Sequence, residues 1–369
     1  MNRPTVVIGV GAGGARMLTA IADRVGAVSD ENGAGTDWTG GPDIDPDRFR
    51  FLAIDTDEGD LRTEAPDIAE TVALGPPDAN AERPYLSAPP SATEPGSGLR
   101  RRRALARLAL ESGGNIAGVR AALEEAVGAC AALEDAEDGI DIWLFAGLGG
   151  GIGSGSLPFL AALVADIAGD VTVPVSTYVF GSLPGGGDDA TTAIHVRNAC
   201  VAVRELTTLL PGSEVDYPVS FELPLAEAVL GRSTVTLDEP PLAGLFLVPI
   251  DDGGRLAPVE RAAATTVIGH ALIDGRPDLA FDNATFGQEP GPPIYAVTAG
   301  RLALPVDDLD RLFDVRAERR AVTDQLEDLE DRIEGLEADI EWLSAGSSTP
   351  TSTRWRRSGS NSGLTSTVS

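Results

Sequence analysis

Six of the nine residues from Gly147 to Gly155 are glycine, in the run Gly-Leu-Gly-Gly-Gly-Ile-Gly-Ser-Gly. So much glycine is entropically costly and would weaken a strand or helix that contained it. Yet the flanks are strongly apolar: Ile140–Ala146 reads as a buried strand and 157–167 as a helix. A flexible linker would not have such flanks. A loop that must bring backbone close to a ligand would, and free N–H groups ahead of a helix favour an anion. Ser154 and Ser156 are expected to add hydroxyl donors.

A second glycine turn precedes it. Thr5–Val10 is a β-branched strand, Gly9-x-Gly11-x-x-Gly14 follows, and Met17, Leu18 and Ile21 recur at helical spacing. Alone this fits a dinucleotide site. The acid closing the next strand, Phe51–Ile54, is Asp55 or Asp57, about 40 residues after Gly14 where that motif expects about 20. Further strands are expected at 72–74, 171–180, 245–249 and 294–298. Helices are expected at 99–134 (interrupted at Gly113-Gly114), 193–210 and 258–274, with an irregular stretch at 211–241. Alternating strands and helices predict a doubly wound, mostly parallel α/β sheet.

These segments resemble the tubulin/FtsZ superfamily over residues 5–275. Gly149–Gly155 is similar to its signature loop, with Ile152 where threonine is usual, and Gly9–Gly14 to its first nucleotide loop. The run Phe51–Asp57, Gly96-Ser97-Gly98, Pro184 with Asp188, and Leu247–Asp251 fall in the family's order. The resemblance implies GTP or GDP, with Mg²⁺, held by Gly11, Ala12, Gly13, Gly14, Gly98, Gly147, Gly149, Gly150, Gly151, Ile152, Gly153, Ser154 and Gly155. Around the phosphates and ribose it implies Asp55, Thr56, Pro184 and Asp188. Near the base it implies Asp251 and either Glu260 or Arg261. The family's hydrolytic loop falls on 275–283, where Ala280 and Asn283 replace its acids and leave Asp282 as the one catalytic candidate. Little hydrolysis is expected. Only about 30 residues follow before a heptad pattern, too few for the family's second domain.

That pattern is Val322, Leu326, Leu329, Ile333, Leu336, Ile340 and Leu343, in alternating steps of four and three. It predicts a C-terminal two-stranded coiled coil through which the chain self-associates. The expected domains are a nucleotide-binding unit over 1–300, a coiled coil over 306–345, and a disordered tail over 346–369 that contains no acid.

Composition excludes other classes. The net charge is −29, every one of the 28 basic residues is arginine, and such a surface repels nucleic acid. Screening in concentrated salt would offset the self-repulsion, which suits a salt-adapted proteome of haloarchaeal type. Arg100–Arg103, the one dense basic cluster, begins a helix and either reaches phosphate or lies on a solvated face. Two cysteines, Cys130 and Cys200, read as small buried hydrophobes. With only His195 and His270 besides, no metal site is expected. No apolar run approaches a membrane span, and a cytoplasmic protein in a cytoskeletal or membrane-remodelling assembly is expected. Two other readings stay open: a dinucleotide-dependent oxidoreductase using Gly9, Gly11 and Gly14, and a coiled-coil scaffold without nucleotide turnover.

Overall fold

The structure is a computed structural model that describes residues 3–29, 44–76, 99, 101–134, 136–186, 189–223, 227, 231–250, 256–272, 292–297, 333 and 335–337. It divides into two units, Met1–Gly300 and Arg301–Ser369. In the first unit the strands are β1 (Thr5–Val10), β2 (Phe49–Asp55), β3 (Glu70–Ala73), β4 (Ile140–Gly147), β5 (Val175–Leu183), β6 (Val219–Glu222), β7 (Thr234–Leu237), β8 (Gly244–Pro249) and β9 (Ile294–Ala296). The helices are α1 (Gly11–Ser29), α2 (Glu58–Glu64), α3 (Arg103–Glu111), α4 (Gly113–Ala131), α5 (Ile152–Ala168), α6 (Ala190–Thr207) and α7 (Ala257–Leu272).

Seven strands form one sheet in the order β3-β2-β1-β4-β5-β8-β9, and every pairing is parallel. The central strands are covered on both faces, so their alternate residues enter different cores, while the edge strands β3 and β9 are largely exposed. Val6, Ile8 and Val10 of β1 and Ile142, Leu144 and Ala146 of β4 meet α4, α5 and α6. Val7, Trp143 and Phe145 pack on the opposite side with α1 and α7. Val10 pairs with Ile54 on one side and Ala146 on the other, so β1, β2 and β4 end level. The chain leaves β1 towards β2 but returns on its far side as β4. Ligands of open α/β sheets sit outside the carboxyl ends of strands at such a reversal.

Three sequence expectations change here. Helix α5 begins at Ile152 instead of 157, so Gly153, Ser154 and Gly155 are helical. The expected irregular stretch contains an antiparallel pair, β6 with β7, whose Phe221 meets Phe159 edge-on at 5.4 Å. The interruption of the long helix falls at Ser112, whose extended backbone (ψ 131°) separates α3 from α4.

At the other end of the sheet, Asp141 is fully buried. Its carboxylate accepts from Arg3 Nη1 at 3.0 Å and faces His270 Nδ1 of α7 at 3.1 Å. The adjacent Trp143 ring stacks on Tyr178 at 4.6 Å and meets the His270 ring edge-on at 5.4 Å.

In the second unit the described residues are Ile333, Gly335, Leu336 and Glu337, all helical. Ile333 and Leu336 are 53% and 62% exposed. The remaining heptad positions and the tail lie outside the described residues, so the predicted coiled coil is carried by sequence.

Candidate functional site

At the carboxyl edge a cavity of about 750 Å³ is lined by the β1–α1 turn (Gly11–Gly13), the β2 end (Asp55–Asp57) and the β4–α5 loop (Gly147, Gly149–Gly153). The two glycine turns face each other. Gly13 lies so close to Gly147 that a β-carbon on it would come 3.4 Å from the Gly147 nitrogen. Gly11 has φ +74°, the left-handed region, and Ile152 packs over its missing side chain. The threonine-to-isoleucine departure therefore fills a gap between the turns with methyl groups.

Asp55 is buried at the end of β2. Its Oδ1 accepts from the Thr56 nitrogen at 2.6 Å and the Asp57 nitrogen at 3.3 Å. Burial raises its pKa to about 6 in spite of those two hydrogen bonds, and the charges of Asp60 and Asp57 raise it further. Asp57 caps α2, accepting from the Gly59 nitrogen at 2.8 Å. This leaves a carboxyl poised to gain from a cation. Among the described residues no group of three or more His, Cys, Asp or Glu could hold a metal by itself.

His195 and Thr192 of α6, together with Pro184 and Arg101, also line the cavity. Burial first, and then the Arg101 charge, lowers the His195 pKa and so favours its neutral ring. Asn198, one turn further along α6, is buried. Its amide donates to Arg101 O at 3.0 Å, Gly149 O at 3.2 Å and Gly150 O at 3.4 Å. Three loop carbonyls are thus turned outwards onto one side chain, away from the space an anion would need.

Residues 83–275, more than half of the chain, match the protein family described as tubulin like. The chain belongs to that family. Among solved structures, this tubulin-like chain is similar to the GTPγS-bound protofilament of Haloferax volcanii CetZ2 (22% identity, 79% of this chain and 64% of that one, TM-score 0.40). It is also similar to Clostridium botulinum phage c-st TubZ (13%, 80% and 68%, 0.41) and to Methanosaeta thermophila CetZ (16%, 74% and 53%, 0.40). The chain spans less than two thirds of the CetZ2 chain. No curated protein matches by sequence.

Of the residues expected to bind ligand in this tubulin-like protein, Gly11–Gly13, Asp55, Thr56, Gly147, Gly149–Gly153 and Pro184 line the cavity. Gly14, Ser154, Gly155 and Arg261 do not. Gly14 is where α1 lies against the Phe145 carbonyl, and Gly155 is where α5 lies against the Arg103 carbonyl. The Ser154 hydroxyl is buried on the Gly150 carbonyl, and Ser156 Oγ donates to Ile152 O at 2.6 Å. Both hydroxyls are taken up by the preceding helical turn because α5 starts early. Arg261 is exposed and donates to Ala257 O at 3.3 Å, while Glu260 pairs with Arg16 at 2.9 Å. Cys130 is buried, which pushes its thiol up to about 11, but Cys200 is exposed on α6. Gly98, Asp188, Asp251 and Asp282 lie outside the described residues.

Proposed function

We propose that this tubulin-like protein binds a guanine nucleotide, its phosphates lying between the two glycine turns. The observation that carries this reading is the pair of turns facing across one cavity with Asp55 beside them. The choice of guanine rests on the family. Mg²⁺ fits the same edge: phosphate oxygens would supply most of its ligands, and Asp55 or Asp57 would lie beside them, the cation neutralising charge on both. A dinucleotide dehydrogenase would call on the β1–α1 turn alone and leave the second glycine loop without a task.

Gly150 lines the cavity, and a β-carbon there meets nothing nearer than Gly147 O at 3.4 Å. Gly150→Asp therefore adds negative charge without a backbone clash. Titration calorimetry in high salt with Mg²⁺ should show GTP bound in preference to ATP and NAD. In Gly150→Asp, GTP affinity should fall at least tenfold with the melting temperature little changed. Unaltered GTP affinity in that variant would rule the site out.

Turnover is proposed to be slow, since Ala280 and Asn283 stand where the family has acids, and positioned general bases contribute about 10²–10⁴-fold. Phosphate release at family-typical rates, lost in Asp282→Ala, would refute this. Self-association through the heptad helix, as part of a cytoskeletal assembly, completes the reading.

A further inference from the structure

The cavity is acidic for a polyphosphate site. Asp55, Asp57 and Asp60 line it, and the whole chain carries −29. Among the described lining residues Arg101 is the single arginine, and the protein has no lysine. Of the described arginines beside it, neither is on the cavity wall. Arg103 pairs with Glu205 at 2.6 Å and donates to Ser154 O at 2.8 Å, and Arg102 does not line the cavity. Arg101 itself is exposed to the cavity, with no carboxylate in ion-pair range among the described residues.

Its backbone is unusual too. Arg101 has φ +65°, the one non-glycine residue in the left-handed region among those described. A side chain there costs free energy and persists only where the surroundings hold it. Here they do: Asn198 grips the Arg101 carbonyl, and Arg101 Cα lies 3.1 Å from where a β-carbon of Gly151 would stand. The segment leading into α3 is thereby seated on the second glycine loop, with its arginine on the cavity side. The influence of that charge on His195 agrees with this placement.

We propose that Arg101 is the cation this site sets against the phosphates, and that it makes the site prefer a nucleoside triphosphate to the corresponding diphosphate. The inference rests on the nucleotide reading above. A triphosphate carries more negative charge than a diphosphate, so the one guanidinium among the described lining residues, set near three carboxylates, weighs most on the larger anion.

Arg101→Gly removes the cation while keeping a residue at ease with positive φ, so the loop need not rearrange. Calorimetric titration with GTPγS and GDP, at one high salt concentration with Mg²⁺, reads the effect. The expected result is at least a tenfold loss of GTPγS affinity, under threefold for GDP, with a melting temperature at or above wild type. Arg101→Lys should recover part of the GTPγS affinity. Equal losses for both ligands, or none, would overturn the role of Arg101 while leaving the nucleotide site standing. A wild-type protein that binds neither ligand would overturn both.

Discussion

Asp55 shows how one buried carboxyl can tie stability to ligand binding. Because its pKa in the fold is raised to about 6, the folded chain keeps a proton that the unfolded chain releases between about pH 4 and 6. Stability without ligand should therefore fall as pH rises through that window, and the full cost is present above it. Asp55→Asn keeps an acceptor for the Thr56 nitrogen and removes the charge. It should flatten the slope and stabilise the apoprotein at pH 8 by about 1–3 kcal/mol. Denaturant melts at pH 4.5 and pH 8 check this; a variant no more stable at pH 8 would contradict it. Bound Mg²⁺ should reverse the sign, since the cation favours the ionised carboxylate that the fold alone disfavours.

At the scale of elements, the site depends on three segments being held in register: the β4–α5 loop, the lead into α3, and α6. Asn198 is their common fastening. Asn198→Ala would leave the Arg101 and Gly149 carbonyls without that donor, at about 1–3 kcal/mol, while Gly150 O keeps the Ser154 hydroxyl, and would loosen the loop they hold. Because it disturbs the loops as a whole, GTPγS and GDP affinities should fall by similar factors, unlike the selective loss expected for Arg101→Gly. Parallel titrations distinguish the two. Asn198 was not legible in the sequence, since its partners lie about 50 and 97 residues away and nothing periodic links them. His195 escaped for the same reason, whereas the sequence already marks Arg101 as one of four arginines able to reach phosphate, and only the fold picks it from its neighbours. The strands were legible, because β1, β2 and β4 are largely apolar on both faces and end at, or just before, a glycine or aspartate. What misled at Gly153–Gly155 was glycine itself. It signals a loop by its own preference, but here it lets α5 pack closely on the end of β4 at Gly153 and on α3 at Gly155, a tertiary requirement that outweighs helix propensity. The β6–β7 pair was hidden by its shortness, four residues a strand.

The whole molecule combines an acidic tubulin-like unit with a helix whose described apolar residues, Ile333 and Leu336, are exposed. Four heptads with Leu326, Ile333 and Ile340 at a and leucine at most d positions favour a parallel pair of helices. Light scattering in high salt should report a dimer at tens of micromolar. Replacing Leu329 and Leu336 by Asp should give a monomer whose nucleotide affinity is unchanged. A wild-type monomer under those conditions would rule this helix out as the dimer contact. Salt should also raise the melting temperature of either form, because −29 charges repel one another less when screened.

Trp143 carries an optical consequence. Its indole is fully buried between Tyr178 and His270, and its Nε1 has no hydrogen-bond partner. An indole so shielded emits at shorter wavelengths than one in water, and a shift of α7 would move the imidazole at its edge. With Trp38, Trp342 and Trp355 replaced by Phe, the protein becomes its own fluorophore. The end of the sheet remote from the ligand could then be watched while the glycine edge is being filled.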